Sequence, residues 1–510
     1  MKQTIIIILL ALVATTGQAK RHKKLNPADV VAGMVVPADW FKTNTICIKG
    51  RIEGYDAEQF GFTSMECYYE DIFEKGSTTL VLDIMPDGTF QKNFQASYPV
   101  QQSFCAAESN IGFDEMPFFA RPGETIDITV REAENGQWEC VYNSGSSKDV
   151  ERWLKSKNSF EGLWRSVVAF DGKFAEANQK AEGVWSQLMD SLQVVSQREG
   201  YTPLELQLAL ADIQADCTEN LLYYVFRHRY TDVIRQEARD GIYYETVLDS
   251  AELKALEDRE NYGLVSRVDW NNPMLMMSSN FDGALNRIRF APIAPRKMLS
   301  CDDNNLTMQL FTYKDMLSDF DFWRQYLEEE KLKENVDSVL KKLTHPYIRE
   351  KAQAFYDRQM AVKELSSPLP ADNPAAELIR KLCAKYPGRY LFIDFWGMGC
   401  GPCRAAIQDS KTLRARLHDR EDLKLIFVAG ERTAEGSDAY HQYCDEWLPD
   451  EEAICLPYKG FSKIQEMFSF NGIPHYEIIT PDCHRVREDL RLYGYEFFEQ
   501  QFERLKNRLK

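Results

Sequence analysis

The chain has 510 residues, which is too long for one hydrophobic core and predicts about three domains. Hydrophobic residues make up 44% of it, enough to fill such cores, and the formal net charge at pH 7 is -17. A surface this acidic repels nucleic acid and anionic lipid, so we expect neither as a partner.

The N-terminus predicts export. Lys2 precedes an apolar run over residues 5–14, and residues 15–19 supply small side chains for a cleavage site. Together they describe a secretory signal peptide over residues 1–19, because a run of about ten apolar residues is too short to span a bilayer. No later segment is apolar enough to do so. We therefore expect a protein of the periplasm or cell envelope that is not embedded in the membrane; an uncleaved tail on a cytoplasmic protein is the alternative.

Residues 40–147 predict a β-sandwich. Residues 45–52 and 125–130 largely alternate between apolar and polar side chains, as half-buried strands do. Asp87-Gly88 separates two strand-like segments and is a strong hairpin signal. About seven short strands with turns about ten residues apart favour two packed sheets.

Residues 148–365 predict a helical domain. Thr202 and Pro203 begin one helix as its cap and its first residue. Val336 and Leu340 recur at helical spacing in another. The sequence assigns no role to this region.

A proline-rich stretch at residues 366–374 marks the clearest domain boundary, because proline disfavours helix and stiffens a connection. The region that follows, residues 370–510, has an α/β pattern. The predicted elements are a helix at 375–385, a strand at 390–396, a helix from the Cys-x-x-Cys motif to about 418, a strand at 423–429, a helix at 435–447, strands near 453–456, 476–480 and 486–489, and a helix from about 496.

Cys400 and Cys403 carry the chemistry. Two cysteines separated by two residues, placed between the strand at 390–396 and a helix, are typical of a thiol–disulfide redox centre. A helix N-terminus favours an anion, so we expect Cys400 to be the nucleophilic thiolate and Cys403, one turn on, to face inward and resolve the mixed disulfide. Pro402 suits the first turn because its missing N–H has no partner there. Gly401 lets a substrate backbone approach closely.

Asp394 lies six residues before Cys400 in an otherwise apolar strand. Burial there raises the pKa of a carboxyl group, which can then accept the proton that Cys403 must lose. The alternative is an aspartate at the end of a strand, in solvent.

One set of motifs resembles the TlpA-like family of exported, thioredoxin-fold disulfide reductases, and the strand-rich N-terminal region is similar to the β-domain of its Bacteroidetes-type members. The motifs are Asp394-Phe395-Trp396, Cys400-Gly401-Pro402-Cys403, Arg404 and Gly472-Ile473-Pro474. The family usually has Trp directly before the first cysteine, where this chain has Gly399.

The patterns along the chain, together with this resemblance over residues 370–510, predict a multidomain protein with an N-terminal β-sandwich, a middle α-helical domain and a C-terminal α/β thioredoxin-like domain. The resemblance implies that Pro474 is a cis-proline opposite the cysteines. It also implies that a substrate contacts Ile473, Trp396, Gly401 and Pro402.

The resemblance also implies a direction of electron flow. Strong oxidants of the DsbA kind carry a His between their cysteines, whereas Gly401-Pro402 is the thioredoxin dipeptide and Ile473 is the thioredoxin residue before the proline. We therefore expect an enzyme that reduces disulfide-bearing proteins and needs no cofactor or metal. Its implied electron donor is a membrane thiol–disulfide transporter.

A peroxidase, a metal site and a binding protein are alternatives to a disulfide reductase. A peroxiredoxin-type peroxidase needs Pro and Thr or Ser before its cysteine, and residues 393–399 offer neither. Metal binding by Cys400 and Cys403 needs two further ligands at suitable spacing. An envelope binding or scaffold protein with an accessory thioredoxin-like domain stays an alternative. The other ten cysteines show no framework spacing, so their pairing stays open.

Overall fold

The structure is a computed structural model that describes residues 25–32, 39–156, 162–231, 244–245, 248–361, 364–487, 490–492 and 494–509. The predicted signal peptide over residues 1–19 lies outside the described residues. Within them, three larger sheets and many helices form a multidomain protein. No described helix is long and apolar enough to cross a membrane.

The N-terminal region is a sandwich of two four-stranded sheets. The first sheet has the order β4-β1-β7-β8 and the second has the order β3-β2-β5-β6. Eight strands are present where the sequence predicted about seven. Their bounds are β1 (Asn44–Ile52), β2 (Ser64–Tyr69), β3 (Thr78–Asp83), β4 (Thr89–Ala96), β5 (Val100–Cys105), β6 (Glu115–Ala120), β7 (Thr125–Glu132) and β8 (Trp138–Ser144).

The second sheet buries one face in the sandwich and turns the other away from it. Met65 and Cys67 of β2 lie in the core, whereas their neighbours Glu66 and Tyr68 point outward. We call the outward side, which includes Thr79, Ser103 and Glu115, the outer face of the second sheet. It faces the C-terminal region.

Helices form most of the region that follows. Two short helices come earlier in the chain: α1 (Pro27–Ala32) lies before β1, and α2 (Ala57–Phe60) lies between β1 and β2. A pair of two-residue strands, β9 (Tyr230–Thr231) and β10 (Tyr244–Glu245), interrupts the helical region. The helices of this region are α3 (Ser146–Asp149), α4 (Glu151–Ser156), α5 (Arg165–Val168), α6 (Phe174–Glu199), α7 (Pro203–Arg229), α8 (Ser250–Glu257), α9 (Gly263–Ser266), α10 (Phe281–Arg289), α11 (Pro295–Leu299), α12 (Leu306–Tyr326), α13 (Glu329–Lys342) and α14 (Pro346–Ala361).

The sandwich and the helices share one hydrophobic core. A single cluster of buried side chains runs from Trp40 in the sandwich to Phe355 in α14. Buried aromatic rings join the two parts: Tyr313 of α12 donates a hydrogen bond to the carbonyl oxygen of Phe73 (2.7 Å), and the two rings lie 5.6 Å apart. The regions predicted as two domains are therefore packed as one body.

The C-terminal region is a six-stranded mixed sheet between helices. Its order is β11-β16-β15-β12-β13-β14, with β12, β13 and β14 parallel and β15 antiparallel to β12. Its elements are β11 (Ser366–Pro368), α15 (Pro374–Lys385), β12 (Tyr390–Trp396), α16 (Gly401–Asp409), α17 (Lys411–Leu417), β13 (Leu423–Glu431), α18 (Asp438–Trp447), β14 (Glu452–Pro457), α19 (Tyr458–Phe468), β15 (His475–Ile479), β16 (His484–Val486) and α20 (Tyr495–Leu509).

Three features of this sheet differ from the sequence analysis. Part of the proline-rich stretch is β11, an edge strand that pairs with β16, and edge strands tolerate proline. The single helix predicted from the cysteines to about 418 is two helices. They meet at Ser410, whose backbone (φ -76°, ψ 0°) departs from helical geometry and whose hydroxyl donates to the carbonyl of Ile407 (3.2 Å). Helix α19 was not predicted.

Helix α19 joins the C-terminal sheet to the sandwich. Lys459 and Lys463 each place their ammonium 2.9 Å from the carboxylate of Asp83 at the end of β3. Beyond the helix, the hydroxyl of Thr79 donates to the carbonyl of Phe470 (3.2 Å). The contact covers the β3 side of the outer face of the second sheet, where Thr79 is fully buried.

A second disulfide lies away from the Cys-x-x-Cys motif. It joins Cys383 of α15 to Cys483, which precedes β16. Of the twelve cysteines, eight are free, and Cys67, Cys140 and Cys217 among them are buried.

Candidate redox site

Cys400 is the N-cap residue of α16. Its backbone is extended (φ -89°, ψ 100°), and its sulfur accepts a hydrogen bond from the backbone N–H of Cys403 (3.1 Å). In many helices the side chain of the N-cap residue accepts a hydrogen bond from the third helical N–H. Here the accepting atom is the sulfur of Cys400. The sulfurs of Cys400 and Cys403 are bonded to each other, so the structure shows the oxidised pair. The local fold therefore directs a backbone donor at the sulfur that would carry negative charge after reduction.

The two cysteines differ in exposure, as predicted. Cys403 is 1% exposed, whereas Cys400 is partly exposed. A side chain added at Gly399, Gly401 or Gly472 would meet no other atom within 4 Å. An incoming disulfide can therefore reach Cys400 and not Cys403.

Asp394 lies at the centre of the C-terminal sheet. It pairs with Phe427 of β13 on one side and with Tyr476 of β15 on the other. The residue is only 3% exposed, and its Oδ1 atom has no hydrogen-bond partner in the part of the chain that the structure describes. Burial raises the pKa of Asp394 to about 8, while the guanidinium of Arg414 acts in the opposite sense. The alternative of a solvent-exposed aspartate is wrong.

Arg414 is a feature of the site that the sequence analysis missed. Its side chain is 2% exposed, and its guanidinium pairs with the carboxylate of Glu451 and donates to the carbonyls of Trp447 (2.7 Å) and Ile407 (3.2 Å). A buried guanidinium held by these acceptors contributes a fixed positive charge that favours ionised Asp394. The sequence carries no local signal for this contact, because Ile407 and Arg414 lie in two helices, α16 and α17, that meet at Ser410.

The predicted substrate contacts divide into two groups. The Ile473–Pro474 peptide bond is cis, and the carbonyl oxygen of Ile473 lies 3.6 Å from the sulfur of Cys400. Trp396 is instead fully buried, and its ring packs against Tyr440 and Tyr443 of α18 at centroid distances of 5.8 and 5.3 Å. The backbone of Ile473 is thus beside the reactive sulfur, while the indole of Trp396 packs into the core.

A cleft of about 810 Å³ adjoins the redox pair. Gly397 and Ile473 form the end of this cleft nearest Cys400, α19 forms one wall, and the outer face of the second sheet forms the other. We call it the interdomain cleft. Its lining residues used below are Glu66, Tyr68, Ser103, Cys105, Glu115, Tyr458, Phe461, Ser462 and Gln465.

No protein-family model matches the chain, and no curated protein matches it. Solved structures of thioredoxin-like proteins match parts of it. The thioredoxin domain of a thiol-disulfide oxidoreductase from Bacteroides vulgatus is 20% identical, with a TM-score of 0.20 over 24% of this chain and 81% of that one. A secreted disulfide oxidoreductase from Mycobacterium tuberculosis is 13% identical, with a TM-score of 0.18 over 25% of this chain and 84% of that one. A thioredoxin-like protein from Bacteroides caccae is 12% identical, with a TM-score of 0.23 over 57% of this chain and 93% of that one.

Proposed function

We propose that this protein is a thiol–disulfide oxidoreductase of the cell envelope that reduces disulfides in other proteins. One observation carries the proposal: Cys400 and Cys403 form a disulfide at the start of α16, with the Cys403 N–H donated to the Cys400 sulfur. A sulfur that accepts a backbone N–H at a helix N-terminus is stabilised as the thiolate, which is the attacking and leaving form in disulfide exchange.

The reaction proceeds in two exchanges. In the reduced protein, the Cys400 thiolate attacks one sulfur of a substrate disulfide, forming a mixed disulfide and releasing the other substrate sulfur as a thiolate. Cys403 then loses its proton and attacks the sulfur of Cys400. The internal disulfide closes and the second substrate thiolate leaves. Two electrons pass to the substrate, and the protein ends in the oxidised form that the structure shows.

Asp394 is the proposed acceptor of the proton from Cys403. Its carboxyl group is buried in the strand that leads to the cysteines, and a pKa of about 8 lets it exchange a proton near neutral pH. The Oδ1 atom of Asp394 has no hydrogen-bond partner among the described residues and can therefore accept this proton.

The direction and the location rest on the sequence. Gly401-Pro402 places no charged side chain between the cysteines, which supports reduction over oxidation. The proposed signal peptide places the reaction outside the cytoplasm. An exported reductant needs a donor of electrons, and we propose a membrane thiol–disulfide carrier.

Insulin reduction by the full chain with dithiothreitol tests the proposal. We expect turnover by the unaltered protein and loss to background in Cys400→Ser, because Cys400 supplies the attacking sulfur of the redox pair. Cys301→Ser, which removes a free cysteine, is the matched control and should keep full activity. Absence of turnover by the unaltered, folded protein would favour the scaffold alternative.

The Cys403→Ser variant identifies substrates. It retains the attacking sulfur but cannot resolve the mixed disulfide, so Cys400 should stay joined to substrate proteins in the cell envelope. Adducts that appear in this variant and are absent from Cys400→Ser/Cys403→Ser support a reductase. The same adduct pattern in both variants counts against it.

A further inference from the structure

We propose that the interdomain cleft seats an extended segment of the substrate polypeptide and selects segments that carry Lys or Arg beside the disulfide. This inference rests on the proposed function and extends it from a reaction to a substrate class. It assigns a role in binding to residues of the sandwich, which lie about 300 residues before the cysteines in the sequence.

One residue that lines the cleft also contacts the reactive sulfur, which is not itself part of the lining. Ile473 lines the cleft, and the carbonyl oxygen of this residue is 3.6 Å from the Cys400 sulfur. A substrate disulfide attacked by Cys400 therefore lies near this end of the cleft. The substrate polypeptide on one side of that disulfide can then enter the cleft. The volume of about 810 Å³ lies toward the upper end of the range for sites that enclose a compact ligand. A short stretch of polypeptide fits this description.

One wall offers unused hydrogen-bonding groups. Tyr458, Phe461, Ser462 and Gln465 all line the cleft, and their spacing places them on one face of α19. Ser462 is 8% exposed and Gln465 is 7% exposed, and within the described part of the chain neither side chain makes a hydrogen bond. Neither residue is among the described residues that have an enclosed, unpartnered polar atom, and both line the cleft, so a bound peptide backbone can hydrogen-bond to their side chains.

The opposite wall is acidic. Glu66, Cys105 and Glu115 are in register across β2, β5 and β6, so the two carboxylates flank the cysteine on the outer face of the second sheet. The hydroxyl of Ser64 donates to Glu66 (3.0 Å) and that of Ser103 donates to Glu115 (2.6 Å). Among the described residues, no cation pairs with either carboxylate.

The other charged groups at the cleft are already paired. Glu108 accepts from Arg432 at 2.8 Å, and the ammonium of Lys155 lies 2.7 Å from Glu151. Glu66 and Glu115 are therefore the carboxylates of the cleft without a direct ion pair among the described residues, although Lys459 is near enough to Glu66 to lower its pKa electrostatically. Burial raises the pKa of Glu66, and a cation seated beside it would favour the ionised form.

Apolar contacts are available as well. Tyr68 on the acidic wall is 63% exposed, and Tyr458 on the opposite wall is 40% exposed. Both rings can therefore pack against a chain that enters the cleft. Lys and Arg fit such a place because their aliphatic stems pack on rings while the charged ends reach the carboxylates.

The test compares two peptides that differ only in charge. Each has one internal disulfide and the same length, and the cysteines are flanked by Lys in one and by Glu in the other. A small uncharged disulfide, hydroxyethyl disulfide, serves as a third substrate that does not need the cleft. The pre-reduced full chain is mixed with each substrate, and the rate of oxidation of its dithiol is followed in a single turnover.

We expect the Lys peptide to react about tenfold faster than the Glu peptide at low salt, since two exposed ion pairs contribute on this scale. Glu66→Gln/Glu115→Gln should abolish most of this ratio and leave the rate with hydroxyethyl disulfide unchanged. The matched control, Glu132→Gln/Glu134→Gln, removes two exposed carboxylates at the end of β7 and in the turn that follows it, and should keep the ratio. Ser462→Ala/Gln465→Ala should slow both peptides equally and leave the small disulfide unaffected.

The outcomes separate the two proposals. If the cleft variant and its control keep the same charge preference, or if the unaltered protein shows none, the inference about the cleft is overturned while the oxidoreductase stands. If the unaltered protein reduces none of the three disulfides, the proposed function itself fails.

Discussion

Asp394 combines full burial, an unpartnered oxygen and a position in the strand that leads to the cysteines. Such a carboxyl group loses its proton at an unusual pH, and this property can be measured in two independent ways. The first is the rate of the second exchange, and the second is the stability of the fold.

We expect the Asp394→Asn variant to resolve its mixed disulfide more slowly, by at least about tenfold at pH 8, because the amide cannot accept the proton from Cys403. In the unaltered protein this rate should rise with pH through about 8, where Asp394 ionises. The variant should lose that rise. Single-turnover rates between pH 6 and pH 9.5 measure both effects, and a variant that keeps the rise would contradict the assigned role.

Asp394→Asn should slow the second exchange, but it should make the folded protein more stable relative to the unaltered protein as pH rises. The pKa of Asp394 is raised in the folded state, so the folded protein binds more protons than the unfolded chain between about pH 4 and about pH 8. The stability contributed by the protonated carboxyl is therefore present below this window and is lost across it, by at most about 1.4 kcal/mol per pH unit. Asp394→Asn should avoid this loss. Denaturant unfolding at pH 5 and pH 8.5 should show the variant gaining relative to the unaltered protein as pH rises.

The residues of the redox pair could be predicted because they are adjacent in sequence. The Cys-x-x-Cys spacing, the apolar strand before it and Asp394 within that strand are all local patterns. Arg414 and the polar side chains of Ser462 and Gln465 at the cleft were not predicted, because a buried charge and the wall of a cleft are properties of packing between elements.

Among the secondary-structure elements, two glycines show how the same substitution can have opposite effects. A Cβ atom at Gly50 in β1 would lie 1.8 Å from the carbonyl oxygen of Ile128 in the paired strand β7, so the strands would have to separate. Gly183 lies exposed within α6, where a Cβ would meet nothing within 4 Å.

We therefore expect Gly50→Ala to lower the free energy of unfolding by about 3 kcal/mol or more, as severe overpacking does. Gly183→Ala should raise it by about 1 kcal/mol, because alanine favours a helix interior more than glycine does. Chemical denaturation of both variants measures the difference. Equal effects at the two positions would show that space around the glycine does not decide the outcome.

Helix α19 was missed although its apolar residues are periodic. Phe461, Ile464 and Phe468 recur at helical spacing, but Gly460 and the preceding Pro457 are typical of a turn. Its contact with β3 stabilises the helix despite these local signals. The interdomain cleft could not be predicted without this helix, since α19 is one of its two walls.

At the scale of the whole molecule, the disulfide between Cys383 and Cys483 closes a loop of 100 residues that contains the redox pair. Scattered cysteines gave no basis for this pairing, because it depends on how α15 packs beside the strands. A cross-link across a loop of this length stabilises mainly by restricting the unfolded chain.

We expect Cys383→Ala/Cys483→Ala to lower the free energy of unfolding of the C-terminal region by about 2–5 kcal/mol. Insulin reduction at 25 °C should be retained, since neither residue is part of the redox pair. The control Cys444→Ala/Cys455→Ala removes two free cysteines of the same region and should cost less. If the control costs as much, the cross-link is not the source of the stability.

The order of the regions was predictable from changes in pattern along the chain, whereas their packing was not. Alternation and helical spacing separate the sandwich from the helices, but neither pattern shows that Trp40 and Phe355 belong to one core. Composition also gave no sign that the outer face of the second sheet is turned toward the cysteines.

The weak acidity of the free cysteines has a consequence for reactions within the chain. In a protein that exchanges disulfides, a free thiol of the same chain can attack the internal disulfide. That reaction cross-links one part of the chain to another. Only a thiolate attacks, and burial raises the pKa of seven of the eight free cysteines, so that these stay protonated at neutral pH; they are Cys67, Cys105, Cys140, Cys217, Cys301, Cys444 and Cys455. The low thiolate content of these cysteines thereby protects the two disulfides of the chain from internal exchange.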